Sequence, residues 1–388
     1  MNLLSWNCRG LGNQATVRAL KKILREKNQG IVFLMETKLN DQRMATLNST
    51  QFHYAGCFSV NPEGDCRNKR GGLSILWKNP YDLSLVSYSN HHISVTVKET
   101  GDRIWELSYV YGWPNHHMKR NTWQLLRNLN PGDDKPWVCI SDFNEIMWPH
   151  EKIGGNPKAF ACMESFRNVV DDCTLLDLGF SGNMYTWTNG QAFDQNTQKK
   201  RLDRALATET WRDCFPKYQV EHLPRIHSDH APLIVYLDGA DKRLAHNKKQ
   251  RKKLFRFESI WLEHEGCTEV VKLAWTSTMN GPQFEEKVKA CSLALQQWDN
   301  AHCGKPHVKI AKLQKRLEKL QNGPQTDLVI NECKKIESEL DAQYRLEEIF
   351  WHQRSRALWI KAGDRTEKHR KETKKIASTK SKMAMDYG

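Results

Sequence analysis

The 388-residue sequence contains no apolar run close to the roughly 18 residues that a membrane-spanning helix requires. Its first residues, MNLLSWNCRGLG, have no basic region ahead of the short apolar stretch, and Trp6, Asn7 and Arg9 stand where a secretory peptide would continue apolar. We therefore expect a protein that is neither membrane-embedded nor secreted. The N-terminal stretch instead predicts a β-strand.

Paired cysteine motifs are also missing. The 11 cysteines are scattered singly from Cys8 to Cys333, with no C-x-x-C pair and no matching His-x-x-x-His. This spacing argues against a disulfide framework and against a zinc site, and it is typical of a protein from a reducing compartment. We expect a nuclear location, with the cytoplasm as the alternative.

Charge balance is missing in the last part of the chain, where Lys and Arg far outnumber Asp and Glu. The formal net charge is +14, of which residues 1–238 carry +3 and residues 239–388 carry +11. A basic surface attracts polyanions such as nucleic acid at long range, although such a charge also serves solubility alone. Charge by itself leaves both interpretations open.

Long helical patterns are rare before residue 238, where short β-branched or aromatic runs alternate with loops rich in Gly, Asn and Pro. Many strands with few helices predict an α/β fold of two stacked sheets flanked by helices. The predicted strands are Asn2–Trp6, Ile31–Met35, Leu73–Trp77, Ile93–Val97, Ile104–Tyr111, Trp137–Ser141, Tyr185–Trp187 and Pro232–Tyr236, and the predicted helices are Ala15–Glu26, Arg120–Leu129 and Ala161–Asp172.

A basic run, DKRLAHNKKQRKK, ends the strand pattern at residues 241–253. Apolar residues then recur at three and four positions, and Asn322-Gly323-Pro324 interrupts them, which predicts an antiparallel helical hairpin. The last stretch is Lys-rich and almost without large apolar residues, which is typical of disorder. The predicted domains are therefore 1–238 (α/β domain), 239–256 (basic linker), 257–366 (helical segment) and 367–388 (disordered tail).

Polar residues follow several of the predicted strands in the first domain. Each of them alone is more typical of a turn or a helix cap, and SDH could be a surface turn with a solvated His. Their recurrence just past successive apolar strands points instead to one site, because strand-end loops on a rigid scaffold carry catalytic groups. These residues are Asn7, Glu36, Tyr111, Asp142, Asn144, Asp203, Ser228, Asp229 and His230.

The residue types suit hydrolysis of a phosphodiester. That reaction needs a hard divalent cation held by carboxylate oxygens, donors around the phosphate, and a base or orienting group for water. Glu36 suits the first need. The donors would be Asn7, Tyr111, Asn144 and His230, and the base would be Asp142 or the pair Asp203 and His230.

The motifs themselves resemble a known family. The series WNCRGLG, METK, GGLSILWK, YGWP, SDFNE, GFSGNMYTWTNG, RLDRAL and HSDHAPL is similar to the endonuclease domain of plant non-LTR (LINE-type) retrotransposons, a relative in fold of apurinic/apyrimidinic endonucleases and DNase I. The resemblance covers residues 1–238. It implies a DNase I-like four-layer α/β sandwich that nicks DNA and leaves a 3′-hydroxyl, with Mg²⁺ as cofactor or Mn²⁺ as the alternative.

The resemblance also implies roles for single residues. Glu36 would be the main metal ligand with Asn7 beside it, and Asp229 would support the site or a second metal position. Asp142 would position or deprotonate the attacking water. Contacts with the phosphate or with DNA would come from Asn144, Tyr111, Thr186, Trp187 and Ser228, and from His230, which could instead act as the base, oriented by Asp203.

Two features depart from the pattern. Arg9 stands where abasic-site repair enzymes carry an acid, which argues against an abasic-site-specific enzyme. The C-terminal part resembles the connector to a reverse transcriptase, including RSRALWIKAGDR, but no polymerase motif follows. This implies a truncated or frame-disturbed copy that does not polymerise.

Three functions remain open at this stage. The first is an active DNA nickase, and the second is a catalytically silent DNA-binding remnant, which the basic C-terminal part would suit. The third is the same fold acting on another phosphate ester, since fold alone does not decide a substrate. The sequence does not fix the oligomeric state.

Overall fold

The computed structural model describes most of the chain and divides it into two units. Met1–Asn247 forms one unit together with Lys312–Asp341, and Lys248–Ala311 with Ala342–Gly388 forms the other. The described residues are 1–64, 69–99, 101, 103–132, 134–190, 197–239, 257–277, 284–299, 306–323, 326–350 and 353.

Two large mixed sheets make up the first unit. The strands of the seven-stranded sheet, in spatial order, are β11 (Ser181–Gly182), β15 (Gln219–His222), β16 (Leu233–Tyr236), β1 (Asn2–Asn7), β2 (Ile31–Met35), β4 (Leu73–Trp77) and β3 (Gly56–Val60). Those of the six-stranded sheet are β10 (Leu176–Asp177), β14 (Asp203–Ala207), β8 (Trp137–Asp142), β7 (Ile104–Tyr111), β6 (His92–Lys98) and β5 (Asp82–Ser89). A small third sheet joins β12 (Trp187–Thr188), β13 (Lys199–Lys200) and β9 (Lys152–Ile153).

The two large sheets pack face to face around the main apolar core. Alternate residues of the longer strands enter this core, and Phe33 of one sheet stacks on Tyr109 of the other with ring centroids 4.3 Å apart. Smaller apolar clusters lie between each sheet and its outer helices, so the order is helix, sheet, sheet, helix. This confirms the predicted four-layer α/β sandwich with helices added C-terminally.

The helices of the sandwich are α1 (Gln14–Lys27), α2 (Asp41–Leu47), α3 (Lys119–Leu129), α4 (Phe160–Asp172) and α5 (Glu209–Cys214). In α1 the side chain of Asn13 accepts from the backbone N–H of Ala15, which caps the first turn. Leu20, Ile23 and Leu24 recur at helical spacing and are buried against the first sheet.

Further helices follow the sandwich in the sequence. They are α6 (Cys267–Thr276), α7 (Phe284–Trp298), α8 (Pro306–Asn322) and α9 (residues 327–350). α8 ends at Asn322, where the sequence predicted a break, and α9 resumes the apolar spacing. In the second unit, Trp261 packs with Cys267 and Leu295 in a small cluster of its own. None of the helices, within the residues described, is long and apolar enough to cross a membrane.

Most predicted strands and helices are confirmed to within one or two residues, with one correction. The predicted strand Tyr185–Trp187 was wrong in its bounds. Tyr185 lies in a turn that Asn183 closes through its side chain, and the strand is Trp187–Thr188. The domain limits stay a prediction, and their basic linker, apart from residue 239, and their tail fall outside the described residues.

Candidate active site

The polar residues that end four strands lie at one edge of the two sheets. Because β1 and β2 are parallel, with Asn7 opposite Met35, Asn7 and the following Glu36 are neighbours. In the second sheet β7 and β8 are parallel and pair Tyr111 with Asp142, while the antiparallel β14 places Asp203 opposite Asp142. Sheet register therefore brings both sets of strand ends together.

The carboxylate of Glu36 connects the two sheets. Its Oε1 accepts from the Tyr111 hydroxyl at 2.8 Å and from the Asn7 amide at 3.4 Å, and the same amide lies 3.2 Å from Oδ2 of Asp142. Glu36 has a φ of +51°, which turns the chain sharply after β2. Its side chain is 13% exposed, so the carboxylate reaches the protein surface while the bonds from Tyr111 and Asn7 fix its orientation.

A buried histidine lies between two buried aspartates. Nδ1 of His230 is 3.0 Å from Oδ2 of Asp203, and Nε2 is 3.6 Å from Oδ2 of Asp142. The second oxygen of Asp142 accepts the backbone N–H of Asn144 at 2.9 Å. Each ring nitrogen of His230 thus faces a carboxylate, and hydrogen bonds from Asn7 and Asn144 fix the carboxylate of Asp142.

Charge coupling shifts the pKa values of this group. Burial disfavours the imidazolium of His230, but Asp203 and Asp142 outweigh it and raise its pKa to about 9. Burial raises the pKa of Asp142, with His230 opposing and Asp203 adding to the rise. Burial and the carboxylates of Glu36 and Asp142 raise the pKa of Tyr111, which therefore stays a neutral donor. The site at neutral pH holds a cationic histidine between acids.

The residues around His230 serve mainly to position it. The hydroxyl of Ser228 donates to the backbone oxygen of Asn7 at 2.7 Å and accepts the N–H of His230 at 3.1 Å. Thr186 is fully buried, and its hydroxyl oxygen accepts the backbone N–H groups of Leu202 and Asp203, each at 3.0 Å. The structure places Ser228 and Thr186 behind the imidazole, as supports of the loops that carry it.

Asn144 lies at the rim of this cluster. Its φ is +55°, and its amide donates to the backbone oxygen of Gly112 at 2.9 Å, so the structure does not bring it to Glu36. The ammonium of buried Lys119 donates to the Asn144 backbone oxygen, and burial lowers its pKa to about 8. Lys119 was missed from the sequence, where it reads as one more cation at the start of a helix.

Asp229 faces a different neighbour, Arg9. Oδ2 of Asp229 accepts from Trp187 Nε1 at 2.9 Å and lies 3.2 Å from Arg9 Nη1, while the Arg9 Nε is 3.8 Å from Oε2 of Glu36. The other oxygen of Asp229, Oδ1, is buried with no hydrogen-bond partner in the described part of the chain. The guanidinium of Arg9 therefore connects two carboxylates that the sequence proposed as metal ligands.

Two groups of side chains could hold a cation. Asp142, Asp203 and His230 present ligand atoms within 4.8 Å of one another, but their nitrogens and oxygens already face each other in a buried cluster. Glu36, with Asn7 beside it, offers the oxygens that Mg²⁺ prefers at the cleft surface. The partnerless Oδ1 of Asp229 adds a buried acceptor that a cation would satisfy. The donor set around Glu36 fits a hard divalent ion better.

Two clefts meet at Arg9. The first, about 300 Å³, is lined by Glu36 and Tyr111 together with the cations Lys38, Lys69 and Arg70. The second, about 430 Å³, is lined by Asp229 and Ser228 and lies beside the loop that carries His230. We call them the Glu36 cleft and the Asp229 cleft. Arg9 lines both clefts, and Lys and Arg outnumber Asp and Glu along their walls.

A family model and several solved structures are similar to this chain. The model of the Endonuclease/Exonuclease/phosphatase family matches residues 4–230. Among solved structures, the endonuclease domain of TRAS1, a telomere-specific non-LTR retrotransposon, is similar at 14% identity over 61% of this chain and 98% of that chain, with a TM-score of 0.44. The AP endonuclease LMAP from Leishmania major (15% identity, 61% and 87% covered, TM-score 0.45) and TDP2 from C. elegans (16%, 60% and 74%, 0.41) are similar too. No curated protein sequence matches the chain.

Proposed function

Because the chain belongs to the Endonuclease/Exonuclease/phosphatase family, we propose that it is a metal-dependent hydrolase that nicks DNA and leaves a 3′-hydroxyl. The observation that carries the proposal is the meeting of Glu36, Asn7 and Tyr111 with the Asp142, His230 and Asp203 cluster at one sheet edge. The resemblance of the motifs to LINE-type elements supports a retrotransposon origin, and a DNA substrate supports a nuclear location.

Glu36, Asn7 and Asp229 would hold the ion, which we propose is Mg²⁺, with Mn²⁺ as the alternative. When bound, the ion supplies positive charge that offsets the negative charge growing on the phosphoryl oxygens. The hydrogen bonds from Tyr111 and Asn7 fix the Glu36 carboxylate before the ion arrives. This preorganisation lowers the cost of assembling the site.

Asp142 is the proposed base. Its pKa is raised toward neutral pH. A base with such a pKa stays ionised and also accepts a proton readily. Asp142 would take one proton from the attacking water as the water oxygen bonds to phosphorus. The bond from phosphorus to O3′ breaks, and O3′ takes up a proton from solvent to become the 3′-hydroxyl. The Asn144 N–H and the Asn7 amide orient Asp142 for this step.

His230 supplies a fixed positive charge beside the base. Its raised pKa keeps the imidazole protonated at neutral pH, and Asp203 holds Nδ1. We propose that Nε2 of His230 donates to a phosphate oxygen of the substrate. The imidazole would then exchange part of its contact with Asp142 for a contact with the phosphate. The Tyr111 hydroxyl and Asn144 are proposed to lie at the edge of the same phosphate.

The end chemistry of the product tests the proposal. Purified full chain should convert supercoiled plasmid to the relaxed form in Mg²⁺ and not in EDTA, and a DNA polymerase should extend the nicks without prior phosphatase treatment. Nicks that need phosphatase before extension would contradict the 3′-hydroxyl. Salt-sensitive binding of plasmid without any relaxed product would favour the silent remnant, and faster turnover of a soluble phosphate ester than of DNA would favour another substrate.

A further inference from the structure

The Asp229 cleft has a second wall that does not come from the sandwich sequence. One side is the loop around Arg225, His227 and Asp229, and the other consists of Gln321 from α8 with Lys334 and Glu337 from α9. These parts belong to the same compact unit. A cleft of about 430 Å³ beside the site is therefore completed by residues almost a hundred positions downstream of it.

Specific polar bonds hold this wall in place. The side chain of Gln321, which is buried, accepts from the backbone N–H of Arg225 at 3.0 Å and donates to its backbone oxygen at 2.8 Å. The ammonium of Lys199 donates to the backbone oxygens of Gln321 at 3.1 Å and Gly323 at 3.0 Å. The two-point pairing between a side-chain amide and one backbone residue fixes both position and orientation.

A bidentate ion pair adds a third attachment. Arg18 of α1 donates through Nε and one Nη to the two oxygens of Asp341, both at 2.7 Å. Such paired charge-assisted bonds are the stronger and more directional kind of surface contact. Gln321 of α8 and Asp341 of α9 are consequently bonded to the α/β sandwich.

The cleft is suited to a phosphate backbone. Arg9 lines both this cleft and the Glu36 cleft, and its side chain is 49% exposed. Lys334 is an exposed cation on the opposite wall. Burial raises the pKa of Glu337 to about 7, so the acid facing this space carries only part of its charge at neutral pH. A polyanion entering from the Glu36 cleft would meet cations on both sides.

We propose that the Asp229 cleft binds the DNA backbone on one side of the scissile phosphate, with Lys334 of α9 contacting a flanking phosphate. The inference rests on the proposed function, because it takes DNA as the substrate. The parts of α8 and α9 that line the cleft are then part of the substrate surface. Lys334 is a binding residue in this account, without a part in the chemistry.

Two adjacent lysines allow a matched test. Lys334 lines the cleft, whereas Lys335 is also exposed on α9 but lies outside the lining. Lys334→Glu and Lys335→Glu change the net charge identically. Binding of a fluorescent DNA duplex would be followed by anisotropy in EDTA, with full chain carrying Glu36→Gln so that no cleavage occurs.

We expect Lys334→Glu to weaken binding about 10-fold and Lys335→Glu less than about 2-fold, and Lys334→Ala to reduce the slope of log K against log salt by about 0.9. Equal weakening by the two reversals, no weakening by either, or no DNA binding by the unreversed protein at low salt would overturn the inference. Thermal unfolding of Lys334→Glu and Lys335→Glu checks that α9 keeps its place. Lys334→Gln removes the positive charge without reversing it and should also weaken DNA binding.

The nicking assay separates this inference from the proposed function. If wild type nicks DNA and the two lysine variants have the same KM, the cleft inference alone fails. If wild type binds DNA with the expected difference between Lys334→Glu and Lys335→Glu but never nicks, only the proposed hydrolysis fails.

Discussion

Nδ1 of His230 lies 3.0 Å from Oδ2 of Asp203, and both side chains are buried. A buried imidazole paired in this way keeps one orientation and carries a proton on Nδ1. The pair comes from residues 27 positions apart, one at the start of β14 and the other after a loop. Asp203 contacts the site through His230, which it orients and whose imidazolium its charge stabilises.

Replacing Asp203 by Asn should therefore lower kcat without weakening substrate binding. The amide keeps the shape but loses the charge that holds the imidazolium, so we expect a fall in kcat of about 100-fold or more and a change in KM of less than about 3-fold. The pH profile of kcat should shift to lower pH in the variant. A variant with normal kcat and raised KM would assign Asp203 to DNA binding instead.

The raised pKa of His230 makes stability depend on pH. Its folded value of about 9 exceeds the ordinary 6.5, so its contribution is complete below pH 6.5 and is lost as pH rises through 9. The gap corresponds to about 3 kcal/mol. Denaturant unfolding in EDTA should show His230→Gln less stable than wild type at pH 6, with the difference shrinking by pH 9.5. A difference that grows with pH would contradict the charged histidine.

Arg9 should weaken metal binding. Its guanidinium lies against Asp229 and Glu36, the residues proposed to hold the ion, and like charges at such distances repel even when partly screened by solvent. Arg9→Gln should bind Mn²⁺ about 10-fold more tightly in calorimetry, while Arg9→Lys stays near wild type. Arg43→Gln, an exposed position in α2, is the control for net charge. Unchanged or weaker binding by Arg9→Gln would place the ion away from these acids.

Thr186 should matter for stability more than for DNA affinity. Its hydroxyl accepts two backbone N–H groups that would have no partner in Thr186→Val, at a cost of about 2 kcal/mol in the free energy of unfolding. Thr186→Ser should retain most of that stability because the oxygen is kept. The sequence assigned Thr186 to substrate binding. A Thr186→Val protein of normal stability with weakened DNA binding would support that original assignment.

The strand-end residues were predictable because strand direction and register are simple. Asn7, Glu36, Tyr111 and Asp142 follow apolar runs that only buried strands explain, and the ends of such strands meet at a sheet edge. By contrast, β14, with the sequence DRALA, was missed. Its charged and small residues carry no alternation, and its strand form depends on pairing with β8.

Polar contacts between distant segments could not be predicted from the sequence. Arg9 was visible only as a departure from a pattern, and its position between Asp229 and Glu36 depends on a φ of +53° and on two loops from distant segments. Gln321 is one amide in a helix rich in polar residues, with nothing in its spacing to indicate that it binds Arg225. Single-residue hydrogen bonds between distant segments leave no periodic signal.

The central claim is that the protein cleaves DNA with a metal ion held by Glu36. Plasmid nicking by matched acid variants tests it most directly. Wild type, Glu36→Gln and Glu164→Gln would be compared in Mg²⁺ at equal protein concentration, since Glu164 is an exposed acid of α4 away from the site. We predict relaxed product from wild type and Glu164→Gln at similar rates, and a loss of at least about 100-fold in Glu36→Gln. Equal nicking by Glu36→Gln and wild type, or no nicking by wild type, would contradict the account.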